Sequence, residues 1–98
     1  MIIVTGSVVP KPEHADEVLR LSLEHVRRSR LEPGCISHDV HRHVEEPTRL
    51  VFLERWADRD ALDAHFAVSE SRAFAKALRA LAAESTTIEL YEATPVTI

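Results

Sequence analysis

The stretch Leu50–Leu53 constrains the fold of this chain more than any other feature. It lies in the middle of a predicted strand, residues 49–57, and every one of its side chains is apolar. Because successive side chains of a strand point to opposite faces of a sheet, this strand needs apolar cover on both sides. The first predicted strand, residues 2–9, also has apolar residues at even and odd positions. The chain must therefore fold so that both faces of one sheet are covered.

Two segments between the predicted strands repeat their apolar residues with the period of a helix. The first, Glu13 to Arg30, begins with acidic residues and ends with arginines, which favours a helix through its dipole. The second has two pieces, with Asp58 as the predicted N-cap of the first piece. Val68 and Ser69 interrupt it, and Ser69 or Ser71 is the predicted cap of the second piece.

The remaining predicted strands, 35–44 and 86–93, complete the order β-α-β-β-α-β, with a hairpin turn at 45–48. This order predicts an α+β, ferredoxin-like sandwich whose antiparallel sheet carries both helices on one face. We expect a single domain over residues 1–98. Since the helices cover only one face, the pattern also predicts that a second copy covers the other, as a homodimer.

Composition excludes several classes of protein. The net charge is −4 and no Lys/Arg block occurs, so nucleic acid is not the expected partner. No apolar run approaches the ~20 residues of a membrane span. The single cysteine, Cys35, cannot form an internal disulfide, and no secretory leader opens the chain. We expect a soluble protein of a reducing cytoplasm.

Short motifs along the whole chain resemble one known family. These are Glu32-Pro33-Gly34-Cys35, Glu46-Pro47-Thr48, Glu54-Arg55-Trp56, Ala61-Leu62-x-Ala64-His65-Phe66 and Ala73-Phe74. In this order and spacing they are similar to the antibiotic biosynthesis monooxygenase family. The resemblance implies a dimeric α+β barrel made of two ferredoxin-like protomers. It also implies oxidation of a quinol or polycyclic hydroxylated aromatic by molecular oxygen, without metal, flavin or haem.

The chain departs from the family pattern at two points. Many relatives have a second histidine five residues after the first, where this chain has Glu70, followed by Ser71. Haem-degrading relatives use an asparagine, and this chain contains none. Two alternatives therefore stay open: a dimer that binds a small aromatic ligand without turnover, and a cofactor-free isomerase or decyclising enzyme.

The resemblance assigns the catalytic roles to His65 and Trp56. An imidazole suits the removal of a phenol proton, and the indole N–H could donate to a substrate oxygen. The predicted substrate-binding residues are Leu50, Phe52, Glu54, Phe66, Glu70, Phe74 and Leu78. The competing interpretations are a buried histidine bonded to backbone, a tryptophan anchoring the core, and a Glu70 that only satisfies a helix dipole.

A metal site is not expected, although Asp39, His41 and His43 alternate along the second strand as a possible chelating set. No second cluster supplies further ligands, but His38, His14 or His25 could approach this set. Polar residues also protect edge strands from aggregation, and the second strand is an edge strand in the predicted order. Cys35 is expected to be a packed residue. For Tyr91, contacts across a dimer and contacts within the cleft remain open.

Overall fold

The computed structural model describes residues 1–98 as a four-stranded antiparallel sheet with helices packed on one face. The elements are β1 (Ile2–Val8), α1 (Ala15–Ser29), β2 (Cys35–Arg42), β3 (Leu50–Trp56), α2 (Arg59–Ala67), α3 (Ser69–Leu81) and β4 (Thr87–Glu92), with a 3-10 turn at Pro12–His14. The strand order β2-β3-β1-β4 confirms the ferredoxin-like prediction. No helix combines the length and the apolarity that crossing a bilayer requires.

β3 is a central strand, paired with β2 on one side and β1 on the other. Its side chains alternate as the sequence indicates: Leu50 and Phe52 are buried under the helices, whereas Val51 and Leu53 lie on the face without helices. Leu53 is 42% exposed there. The helices therefore cover only one of the two apolar faces, as predicted.

Two apolar clusters hold the helices to the sheet. The larger cluster joins the end of β1 and the start of β3 to α1 and α3, and consists of Val8, Val18, Val26, Leu50, Phe52 and Leu78. The smaller one joins the start of β1 and the end of β3 to α2, and consists of Ile2, Val4, Trp56 and Leu62. The cleft described below opens between these two clusters.

The start of β2 differs from the expected alternation. Simple alternation along residues 35–44 predicts that Ile36 and Val40 share one face, but an irregularity between Cys35 and Ser37 shifts the register. Ile36 is therefore 51% exposed, while His38 is buried on the helix-covered face opposite Glu54. A β-bulge of this kind leaves one residue unpaired and reorients its neighbours.

The helix boundaries confirm one predicted cap and correct another. Asp58 caps α2, because its carboxylate accepts a hydrogen bond from the backbone N–H of Ala61 at 2.8 Å. The break at Val68 and Ser69 is also present. Neither predicted serine caps α3, however: the hydroxyl of Ser69 donates to Glu70, and Ser71 is buried beside the cleft.

Substitution of Gly34 is expected to destabilise the protein. Gly34 has φ +82°, and a Cβ there would lie 2.4 Å from the Cβ of Ala61 in α2. Gly34→Ala should lower the free energy of unfolding by about 2–4 kcal/mol, through left-handed strain and a steric clash. Urea denaturation measures the loss. Adding Ala61→Gly should restore part of it, and a Gly34→Ala variant as stable as the wild type would contradict this account.

Candidate functional site

A cleft of about 250 Å³ lies between the helix-covered face of the sheet and the helices. β1 contributes Val4 and Gly6 to it, and α3 contributes a row of mostly small or apolar side chains. Two arginines of α3, Arg72 and Arg79, also line the cleft, and both are exposed. Its volume is close to the lower end of the range for small-molecule sites, about 300–1,000 Å³.

Most of the side chains that the sequence assigned to catalysis or substrate binding line this cleft. They are Phe52, Glu54, His65, Phe66, Phe74 and Leu78. Leu50 does not line it and belongs to the larger apolar cluster. Trp56 and Glu70 also lie elsewhere, for different physical reasons.

Trp56 is fully buried rather than facing the cleft, which corrects the expectation from the sequence. Its indole N–H donates to the Oε1 atom of Glu54 at 2.9 Å, so it is not available to a ligand. Both side chains point to the same face of β3 because they are two residues apart. Trp56 therefore fixes the carboxyl group of Glu54 through a hydrogen bond from the buried side, away from the cleft.

Glu70 lies outside the cleft, on the exposed first turn of α3. A hydrogen bond from Ser69 lowers the pKa of its carboxyl group. This environment fits the alternative in which Glu70 serves the helix dipole.

His65 projects from α2 into the cleft and is held by an acidic residue. Its Nδ1 atom lies 2.9 Å from Oε1 of Glu32, in the turn after α1. Because a carboxylate only accepts hydrogen bonds, Nδ1 carries a proton, and in the neutral ring Nε2 then has the free lone pair. The nearest carboxylate oxygen to Nε2 is Oε1 of Glu54 at 3.9 Å, beyond hydrogen-bonding distance. His65 therefore has the form of a proton acceptor.

His25 reaches the cleft from α1 and is held in the opposite tautomer. The Nη2 atom of Arg28 lies 2.6 Å from its Nδ1 atom. A guanidinium only donates, so Nδ1 accepts and Nε2 carries the proton. The ring of His25 stacks on Phe74 with 4.0 Å between ring centroids. Burial lowers the pKa of His25 to about 2, so it is a neutral hydrogen-bond donor.

His38 is the third histidine of the cleft and is 1% exposed. Its Nε2 atom lies 3.3 Å from Oε1 of Glu54, yet neither ring nitrogen has a partner in hydrogen-bonding geometry. Burial lowers the pKa of His38 to about 3. Burial also raises the pKa of Glu54, against the opposing effects of the Trp56 N–H and His65.

The sequence analysis did not assign His25, His38 or Glu32 to the site. The signal for His25 was its position in the helical repeat, three residues after the buried Ser22. His38 lies two residues before Val40 on β2, so alternation places both side chains on the helix-covered face. Glu32 gave no signal beyond its place in the Glu-Pro-Gly turn, since only the tertiary fold brings it to His65.

Two of the three residues considered for a metal site on β2 are engaged separately, and the third, His41, is exposed. Asp39 accepts from Arg30 at 2.8 Å. His43 lies beyond the end of β2, and its Nδ1 atom accepts the backbone N–H groups of Glu45 and Glu46 in the turn. Tyr91 lies opposite Ile3, on the sheet face away from the cleft, and donates to Glu89.

The buried histidines should make the metal-free protein sensitive to mild acid. Unfolding returns His25 and His38 from pKa values of about 2 and about 3 to an ordinary value near 6.5. Below pH 6.5 the unfolded chain then binds more protons than the folded chain. The free energy of unfolding should therefore decrease as the pH is lowered, by at most about 1.4 kcal/mol per pH unit for each histidine. The raised pKa of Glu54 has the opposite sign and reduces the net effect.

Urea denaturation in EDTA at pH 7 and pH 5 measures this loss. His38→Gln should have a smaller pH dependence than the wild type, while His41→Ala, at an exposed position, should have the same dependence. Equal stability of the wild type at both pH values would contradict the burial of neutral histidines.

Comparison with known proteins places the sequence and the fold in a family context. The sequence model described as antibiotic biosynthesis monooxygenase matches residues 1–86. A Synechocystis protein, sll1783, described as uncharacterized, is 34% identical over 93% of this chain, which spans 62% of that relative's length. The Bacillus subtilis protein named "Putative monooxygenase YcnE" is 34% identical over 66% of this chain and 68% of its own length. A crystal structure described as an antibiotic biosynthesis monooxygenase is 35% identical, with a TM-score of 0.87, covering 97% of this chain and 100% of its own.

Proposed function

The chain belongs to the antibiotic biosynthesis monooxygenase family, and on that premise we propose that it oxidises a quinol or related hydroxylated aromatic with molecular oxygen. The observation that carries this proposal is the pair of histidines fixed in opposite tautomers within one apolar cleft. Glu32 leaves His65 with a free lone pair, and Arg28 leaves His25 with an N–H donor. A base that removes the phenol proton and a donor that stabilises the phenolate oxygen are needed together.

In the proposed reaction, the hydroxyl group of the substrate lies between the two histidines. The Nε2 atom of His65 takes the phenol proton, and the N–H of His25 donates to the phenolate oxygen that forms. The two residues are close enough to share one oxygen atom, since each places a ring nitrogen within 4.8 Å of the other. Glu32 stabilises the imidazolium of His65, in the way that a buried carboxylate orients and supports a catalytic base.

The substrate itself supplies the electrons for oxygen. In a phenol whose para position carries hydrogen, the para carbon of the phenolate forms a bond to O₂. In a quinol, whose para position carries a hydroxyl, a ring carbon ortho to the phenolate oxygen and carrying hydrogen does so instead. The resulting hydroperoxide loses water as its O–O bond breaks, and the carbon becomes a carbonyl. One oxygen atom enters the quinone, the other leaves as water, and two substrate hydrogens leave with it. The protein's part is to bind the substrate, exclude water and move the first proton.

The lining of the cleft supports a small aromatic substrate. Phe52, Phe66, Phe74 and Leu78 provide apolar contacts, and aromatic rings pack on one another at offset or edge-on geometries. A volume of about 250 Å³ favours a quinol or bicyclic compound over a large polycycle. The exposed Arg72 and Arg79 favour a substrate with negative charge at its outer end.

We also propose that the protein acts as a homodimer whose protomers meet at the sheet face without helices. Val51 and Leu53 of β3 lie on this face, together with Ile3 and Tyr91 of neighbouring strands. None of the three helices packs on this face of the sheet. A second copy would bury them, because two identical apolar faces are complementary under twofold symmetry.

The donor and acceptor pair supports a second candidate function, the isomerisation of a keto–enol substrate. This reaction needs one proton acceptor and one donor at the developing enolate oxygen, and it consumes no oxygen. A third possibility, binding without turnover, requires only the apolar cleft.

Oxygen uptake distinguishes these functions. Metal-free protein is mixed with a panel of quinols and bicyclic phenols, with and without a carboxylate substituent, and consumption of O₂ is compared with the uncatalysed rate. The monooxygenase proposal requires at least one substrate whose oxidation is accelerated. Product formation that continues under nitrogen would instead support isomerisation. A ligand that raises the melting temperature without consuming oxygen would support a binding protein.

A further inference from the structure

The cleft contains more polar groups than removal of one phenol proton requires. His25, His38 and His65 are all buried, and each offers one ring nitrogen within 4.8 Å of the other two. Glu54 adds a carboxylate oxygen beside two of them. His38 has no role in the proposed oxidation, yet it occupies one of the most enclosed positions in the chain.

His38 carries the strongest indication that a ligand is missing. A buried imidazole normally has a hydrogen-bond partner, because an unpaired polar group away from water lowers stability. Both ring nitrogens of His38 lack one. Its Nε2 atom points towards Glu54 at 3.3 Å, where a positive ion would satisfy the imidazole lone pair and the carboxylate together.

We propose that His38, His65 and Glu54 form a binding site for a divalent transition-metal ion such as Zn²⁺. Two imidazoles and one carboxylate are a common ligand set for such ions. The oxygen of Glu54 lies 3.3 Å from Nε2 of His38 and 3.9 Å from Nε2 of His65. Ligands bound tetrahedrally at about 2.0–2.1 Å are separated by about 3.3 Å. The distance from Glu54 to His38 matches this separation, and the distance from Glu54 to His65 is 0.6 Å longer.

The groups around the three ligands match the surroundings of a metal site. A ligating histidine usually donates its other N–H to a carboxylate, as Nδ1 of His65 does to Glu32. Trp56 similarly fixes Glu54 through its N–H. The carboxylates of Glu32 and Glu54 would balance the charge of a divalent ion, and His25 lines the same cleft.

Bound Zn²⁺ would compete with the proposed oxidation. It would occupy the lone pair of His65 that takes the phenol proton, so excess Zn²⁺ should suppress oxygen uptake. This consequence rests on the proposed function, whereas metal binding does not. The two are therefore tested separately, with binding measured in the absence of substrate.

Isothermal titration of EDTA-treated, dialysed protein with ZnSO₄ tests the site directly. We expect one Zn²⁺ per chain, with affinity reduced by at least about 100-fold in His38→Ala, since loss of a ligand should exceed the 10–100-fold effect of outer-shell changes. The control is His41→Ala/His43→Ala, which removes two histidines of the same strand region outside the cleft. Its affinity should equal that of the wild type.

Absence of Zn²⁺ binding by the wild type would overturn the proposal. So would an equal loss of affinity in the control and in His38→Ala, because the ion would then be held at the surface. If His38→Ala does not fold, Co²⁺ added to the wild type gives the answer. Strong visible absorption of a four-coordinate ion supports the site, and the weak spectrum of six-coordinate Co²⁺ contradicts it.

Discussion

His65→Ala should lower the rate of enzyme-dependent oxygen uptake by about 10²–10⁴-fold, the usual contribution of a positioned base. The variant loses the one imidazole of the cleft whose Nδ1 atom is bound to a carboxylate and whose Nε2 atom has a free lone pair. His25 cannot replace it, because Arg28 occupies its accepting nitrogen. Initial rates with a saturating substrate, compared with the uncatalysed reaction, measure the effect.

Two further variants separate chemistry from structure in this experiment. Glu32→Gln keeps His65 but weakens its orientation, so kcat should fall while KM changes little. His14→Ala removes a histidine of the 3-10 turn, away from both the cleft and the sheet face without helices, and should leave the rate unchanged. A His65→Ala protein that folds and retains the wild-type rate would show that His65 is not the base.

Leu53→Glu should convert a dimer of about 22 kDa into a monomer of 11.0 kDa. Leu53 lies near the centre of the sheet face without helices and is 42% exposed in one chain. Twofold symmetry would introduce two charges into the interface and remove two apolar contacts. The expected cost is several kcal/mol, which weakens association by more than about 100-fold.

Size-exclusion chromatography with light scattering measures this change. Leu31→Glu is the matched control, since Leu31 is 88% exposed and lies in the turn after α1 rather than on the sheet. It should leave the dimer intact. A wild-type protein that is monomeric at micromolar concentration, or a dimer that tolerates Leu53→Glu, would contradict the proposed interface.

The fold could be predicted because its main signals are local. Alternation along β3, the helical repeat of α1 and the cap at Asp58 each depend on neighbours within a few residues. The exception is the start of β2, where one irregular pairing exposes Ile36 and buries His38. A bulge of one residue leaves no trace in the sequence pattern that was used.

The site could be predicted only in part because its chemistry depends on side chains that meet from different elements. His65 and Glu54 were found through a family pattern, and both line the cleft. Trp56 was placed on the correct face of β3, but its indole is covered by α2 and bonded to Glu54. Glu32 and His65 are 33 residues apart, so their contact follows from packing alone.

Labelling with ¹⁸O₂ tests the central claim most directly. Metal-free protein is given a phenol that it oxidises, under ¹⁸O₂ in unlabelled water, and the product is analysed by mass spectrometry before carbonyl exchange. The proposed reaction predicts one ¹⁸O atom in each quinone formed and one O₂ consumed per turnover. An unlabelled product, or a product that forms equally well without O₂, would contradict the assignment as a monooxygenase.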